Sequence, residues 1–304
     1  MTSTEPRYDN TPSREIDSER DQLVVDKYRA AWGAAYAQEG LKGAVGALYI
    51  ALFYPSDVDD IPNNDAFEGR REALMTPLSN TTEEIPEPDE FMRSMLEAIN
   101  RDANYKDTLR KDDLDMSVHD GIKAMATHGK LSMWSQGDNA HQAHKMRQAG
   151  IGDVRRDVAN ELDVRPGEAI GFIVGDKFAA LERQVLPEML AVNEHSVIVF
   201  DDRRDNLDRV AAIIERFNEE HGTSITPVLS WARIGRNKDK VLTEEETAYY
   251  HPAGKVSDMV AISAEQPKDT RTLLDYDGTL SDDTLRLQAT LDAVKSALQA
   301  NNWA

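Results

Sequence analysis

The sequence has no cysteine, which removes disulfides, thiolate nucleophiles and cysteine-ligated zinc from consideration. It is also poor in positive charge: 35 Lys and Arg face 55 Asp and Glu, a formal net charge of -20 at pH 7. Phosphate backbones and anionic lipid would be repelled by such a chain, so neither nucleic acid nor a membrane is expected as a partner. Small phosphorylated ligands are not excluded, because a bound divalent cation inverts the local field. Long apolar runs are missing too. The most apolar stretch, GALYIALFY at residues 46–54, is too short to cross a bilayer. The opening MTSTEPRYDNTPSREIDSERDQ lacks the basic and apolar parts of a signal peptide. It reads as a polar arm, residues 1–20, and cytoplasmic residence is the expectation.

What remains is the composition of a soluble globular protein, 40% hydrophobic and 30% charged with a mean hydropathy of -0.57. At 304 residues the chain can form one large domain or two modest ones. Residues 21–120 read as helical, since VVDKYRAAWGAAYAQEG and EFMRSMLEAINRDA space their apolar residues three and four apart. Pro- and Asp-rich breaks such as YPSDVDDIPNND and EEIPEPDE separate these helices. From about residue 121 to 304 the pattern changes. KLSMWSQ, AIGFIVGD, SVIVFDD and ITPVLSWARI read as strands. The helices NAHQAHKMRQAG, FAALERQVLPEML and NLDRVAAIIERFNEEHG alternate with them, which implies a parallel sheet covered on both faces. TLLDYD is a fifth strand, reached through a polar stretch, residues 235–270, that shows little periodicity.

Ligands bind outside the carboxyl ends of the strands in open parallel sheets. Reading only those ends collects Asp275 and Asp277; Ser135 with Gly137 and Asp138; Lys177; and Asp201-Asp202 with Asn206. These are a nucleophile, a second acid, a hydroxyl, a cation and an acid pair, the parts needed for magnesium-dependent phosphoryl transfer through an aspartyl-phosphate. Taken alone, DYDG is equally an Asp-Gly turn. It is not an EF-hand loop, whose glycine follows the first acid by five positions rather than three. His141 and His144 lie three apart on a helix without a third ligand and read as solvated residues. The aromatic stripe Tyr28, Trp32 and Tyr36 reads as helical core, and the acid runs DVDD and RKDDLD as solvated loops.

LLDYDGTLSD, LSMWSQGD, Lys177 and VIVFDDRRDN resemble the four motifs of the haloacid dehalogenase superfamily of phosphohydrolases. The first matches the family's DxDGT pattern, the second its strand-ending Thr or Ser, and the fourth its DDxxxN variant; the third is a lone lysine. The order departs from the family's. Members run one, cap, two, three, four, whereas this chain runs two, three, four, one. The resemblance therefore implies a circularly permuted Rossmann-like core over 121–304, with residues 21–120 as a helical cap. In the family's sheet the first strand lies between the fourth and second, with the fifth flanking the fourth. Closing the permuted sheet then requires a crossing of only about 10 Å at strand spacings near 4.8 Å.

Carried over by position, the resemblance implies Asp275 as nucleophile and Asp277 as general acid and base. It implies Ser135, Gln136, Gly278 and Lys177 as the phosphate cradle. Mg2+ would be held by Asp275, Asp202, the Asp277 carbonyl and Asp201, with Asp202 preferred over Asp201. The implied activity is a phosphatase acting on a small phosphorylated metabolite. A phosphomutase or phosphonate hydrolase is the alternative within the family, although the latter would need a cap lysine. A dehalogenase is disfavoured by Asp277. A regulatory protein that keeps the fold without turnover is the alternative outside enzymology.

Overall fold

The computed structural model describes residues 88–111, 116–137, 139–233 and 241–300. The chain divides into two compact units, and the division does not fall at residue 120. Among the described residues the first unit spans 105–135 and 146–285, and the second 88–104, 136–145 and 286–300. The polar arm, the stripe at Tyr28, Trp32 and Tyr36, the GALYIALFY and DVDD stretches, Asp138 and most of the expected cap lie outside the described residues.

Five parallel strands form the sheet of a Rossmann-like α/β fold: β1 (Lys130–Gln136), β2 (Ile170–Gly175), β3 (Ser196–Asp201), β4 (Thr226–Trp231) and β5 (Arg271–Asp275). Their spatial order is β2-β1-β5-β3-β4. The last strand in sequence is thus the central one, with Lys130 and Val197 both in register with Arg271. The sequences of β3 and β5 show why they are interior. VIVF in β3 is an apolar run without alternation, and every residue of β5 is buried despite its polar ends, the pattern of a strand covered on both faces. Pro227 is tolerated because β4 lies at the margin of the ladder.

The Arg204–His221 helix turns Leu207, Val210, Ile213, Ile214 and Phe217 inward. Burial stabilises each of these by roughly 1.5–3 kcal/mol. They join Trp134, Phe178, Leu186, Val197 and Val199 in one core cluster. The helical segment after β2 begins at Lys177 and widens into a π turn, Leu181–Val185, just before Pro187. A proline there has no N–H for the preceding turn and crowds its carbonyl, and a wider turn relieves both.

Two parts of this unit depart from the sequence expectation. The Ile151–Leu162 helix, started at Gly150 with φ 86°, was not foreseen. The stretch 235–270 is not aperiodic: it holds helices Glu244–Tyr249 and Val256–Ala264. The first has no buried residue, so no apolar period marks it. Its signal was the reciprocal cap between Thr243 and Glu246, whose backbone N–H groups bond each other's side chains at 3.1 and 2.9 Å. Between the two helices the chain runs beside β4, with His251 N–H donating to Leu229 O and Ala253 N–H to Trp231 O. Val256 packs so close to the Val118–His128 helix that a Cβ on Gly121 would lie 2.2 Å from it.

In the second unit, Met95, Ala98 and Ile99 are the buried face of the Pro88–Asp102 helix. His141 and His144 are not solvated as expected. His141 is fully buried, its Nδ1 3.1 Å from Asn100 Oδ1, and His144 Nε2 meets the Asn100 carbonyl. Their i, i+3 spacing places both on one face, and that face is turned toward Asn100. No helix among the described residues is long and apolar enough to cross a membrane.

Candidate active site

Apart from Gln136 and Gly137, which fall in the second unit, the groups described below belong to the first unit. Asp275 ends β5 opposite Trp134, and Ser135 is the next residue of β1. After Asp275 the chain turns at once: the Tyr276 carbonyl accepts from the N–H groups of both Leu280 and Ser281. Gly278 sits in this turn at φ 76°, where an L side chain is strained. There is no room for one either, since a Cβ would lie 2.6 Å from Asp202 Oδ2. The glycine is therefore what lets the turn approach the acid pair after β3.

Lys177, at the start of its helix, is the hub. Its Nζ donates to Asp275 Oδ1 at 2.9 Å and to Asp201 Oδ2 at 2.7 Å, and it lies 4.8 Å from the centre of the Trp134 ring. The helix start is fixed by Asp176, whose carboxylate accepts from Ala179 N–H. Asp277, partly exposed, accepts from Ser135 Oγ at 2.9 Å. Thr279 Oγ1 stands 3.5 Å from Asp275 Oδ2. The structure thus brings Asp275, Lys177 and Asp201 into direct contact, sets Asp202 against Gly278, and pairs Ser135 with Asp277. Gln136 is partly buried at the last position of β1, followed by buried Gly137 at φ 135°.

Lys177 is bonded to both Asp201 and Asp275, and Asp202 and Asp277 add to the negative field on Asp275. Burial by itself would lower the affinity of Lys177 for its proton, but Asp201 and Asp275 more than reverse this, and Lys177 is held firmly protonated. Asp275 is pushed well above the usual carboxylate range, first by burial and then by Asp201, Asp202 and Asp277, with Lys177 opposing. A cation relieves that repulsion. Carboxylate oxygens of Asp201, Asp202 and Asp275 lie within 4.8 Å of one another, a hard oxygen set that suits Mg2+ or a similar ion.

The three are not equivalent as ligands. Asp201 accepts from Arg203 N–H and Asn206 Nδ2 on Oδ1, and from Lys177 and Asn206 on Oδ2. Three groups, Lys177, Arg203 and Asn206, thus hold Asp201, which remains one of the three carboxylates that converge. Asn206 acts by fixing Asp201. Sequence reasoning passed over Trp231, whose Nε1 donates to the Asp202 carbonyl at 2.9 Å, and it read Arg110 as part of a solvated RKDDLD loop, of which 112–115 lie outside the described residues; instead the Arg110 guanidinium donates to the Gly278 carbonyl at 2.8 Å. Arg110 is separated from Gly278 by 168 positions and carries no local signal of this contact. Comparison with protein-family models, with curated proteins and with solved structures finds no match for this chain.

Proposed function

We propose that this chain is a Mg2+-dependent phosphatase of the haloacid dehalogenase type, acting in the cytoplasm on small phosphate monoesters. The observation that carries the reading is one buried lysine bonded to the acids that end β5 and β3, beside a second acid paired with a strand-end hydroxyl. In this reading Asp275 attacks the phosphorus. The bond to the leaving oxygen breaks, and Asp277 gives that oxygen its proton. Water then attacks the aspartyl-phosphate, Asp277 takes a proton back, and inorganic phosphate departs as the bond to Asp275 breaks. Lys177 offsets the charge on Asp275 and the phosphoryl group, and Ser135 turns from Asp277 to a phosphoryl oxygen. Asp275, Asp202 and the Asp277 main-chain carbonyl would hold Mg2+, which supplies charge neutralisation at the phosphoryl oxygens.

The strand order supports a circular permutation, since β5, last in sequence, lies between β1 and β3 with β4 beyond β3, as the resemblance implies for the motif-one strand. The test is phosphate release from a panel of small phosphate monoesters. Release that needs Mg2+ and stops with chelator is the expected result; turnover of no monoester, or turnover unchanged in excess chelator, would count against the proposal.

A further inference from the structure

The turn that carries Asp275 and Asp277 is clamped from outside the sheet by one residue, Arg110. Its backbone N–H donates to the Leu280 carbonyl at 3.0 Å, and its Nη2 donates to the Gly278 carbonyl at 2.8 Å. The contact is zipped on either side. Leu109 and Ser281 form an antiparallel bridge, and Asp282 N–H donates to the Thr108 carbonyl at 2.7 Å. The side-chain bond differs from the others because it is charge-assisted, and so is stronger than a neutral one. It also acts at the residue with the greatest freedom to rotate, a glycine at positive φ.

We infer that Arg110 is a positioning residue for the two acids, an inference that rests on the phosphatase reading above. Fixing the Gly278 carbonyl fixes the plane of the Gly278–Thr279 peptide, because that unit is flat and trans. Thr279, on the far side of the plane, carries a hydroxyl 3.5 Å from Asp275 Oδ2. Asp277 is the residue before Gly278. The backbone bonds of Thr108 and Arg110 hold the strap against the turn whatever side chain stands at 110. The guanidinium adds something narrower: it stops the glycine peptide from rotating and carrying Asp277 off line. Its effect should therefore appear in proton transfer more than in folding or substrate affinity.

The experiment uses the full chain with Arg110→Met, which keeps length but not the donor, and Arg110→Lys, which keeps one charged donor. With p-nitrophenyl phosphate and Mg2+, Arg110→Met should lower kcat by about 10- to 100-fold while KM stays within about threefold, the signature of misplaced catalytic groups. The loss in kcat/KM should be larger for an alkyl phosphate, whose poor leaving group needs the Asp277 proton, than for p-nitrophenyl phosphate. Arg110→Lys should recover most of the loss, and Tm should move by no more than about 4 °C in either variant. An undiminished kcat in Arg110→Met overturns the inference. So does a loss that is equal for both leaving groups, matches a fall in Tm and is not rescued by lysine. An inactive native chain would overturn the phosphatase reading and this one with it, whereas an active native chain with an unaffected Arg110→Met variant overturns this one alone.

Discussion

The two ends of β5 both carry charged clusters with buried members, yet they are solved differently. At its start, Arg271 donates through Nε to Glu194 at 3.1 Å and through Nη1 to Glu188 at 3.0 Å, and Lys130, in register on β1, also meets Glu194. Two cations meet two carboxylates, and the cluster is complete without any ligand. At its other end, four residues along, Asp275 shares one lysine with Asp201, while Asp202 and Asp277 stand nearby. There the carboxylate oxygens of Asp201, Asp202 and Asp275 converge within 4.8 Å of one another, and in the proposed reading a cation joins them. Burial costs the charged groups at both ends, so burial alone does not separate a structural cluster from a reactive one. The convergence of three carboxylates does.

The largest expected effect breaks the acidic end. Asp275→Asn replaces the proposed nucleophilic carboxylate with a neutral amide and should cut turnover about 10^4-fold or more, while circular dichroism and Tm report a folded protein; near-native phosphate release would contradict its role. Next comes the balanced end. Glu194→Ala leaves Arg271 and Lys130 without their shared partner and should cost about 3 kcal/mol in urea unfolding. Turnover per folded molecule should hardly change. If instead activity falls with stability intact, the two ends are not independent.

A smaller effect sharpens the contrast through pH. The Asp275 carboxyl is raised in the folded state, first by burial and then by its acid neighbours, so the fold binds this proton more tightly than the unfolded chain does. The stability linked to that proton is fully present below the unfolded value near pH 4 and is lost as pH rises through the folded one. Metal-free protein should therefore lose stability with rising pH more steeply than Asp275→Asn does, and saturating Mg2+ should abolish the difference. Identical urea midpoints for the two proteins at every pH would contradict this origin of the strain.

How much of this was readable in the sequence differs between these regions for physical reasons. The strands and the four strand-end motifs were legible because β1, β3 and β5 are short apolar runs broken by polar exits. Their parallel order then places those exits at one edge. The Glu244–Tyr249 helix was missed because it buries nothing, and the balanced cluster because Glu188, Glu194, Lys130 and Arg271 look like ordinary surface charges until the sheet aligns them. Arg110 could not be found locally at all. That Asp201, expected as a metal ligand, is also held by Lys177, Arg203 and Asn206 came into view only with the structure.

The smallest expected effect belongs to the permutation. The helices in 244–264 leave Lys268 and Asp269, both exposed, as the place for new ends, with residue 304 joined by a flexible linker to the polar arm. Both charged ends of β5 stay intact in this rearranged chain, so it should fold and keep its Mg2+-dependent turnover. Insoluble product across several linker lengths would count against the proposed topology.

The central claim is that the acid excess at the end of β5 serves a covalent phosphoryl transfer on Asp275. The direct measurement is to incubate Asp277→Asn with p-nitrophenyl phosphate and Mg2+, quench in acid, reduce with borohydride and map the modified residue by mass spectrometry. The account predicts an aspartyl-phosphate at Asp275 that builds up because Asp277 is not there to activate water. A native protein that releases phosphate while the trapped label is absent, or sits on any other residue, would contradict it.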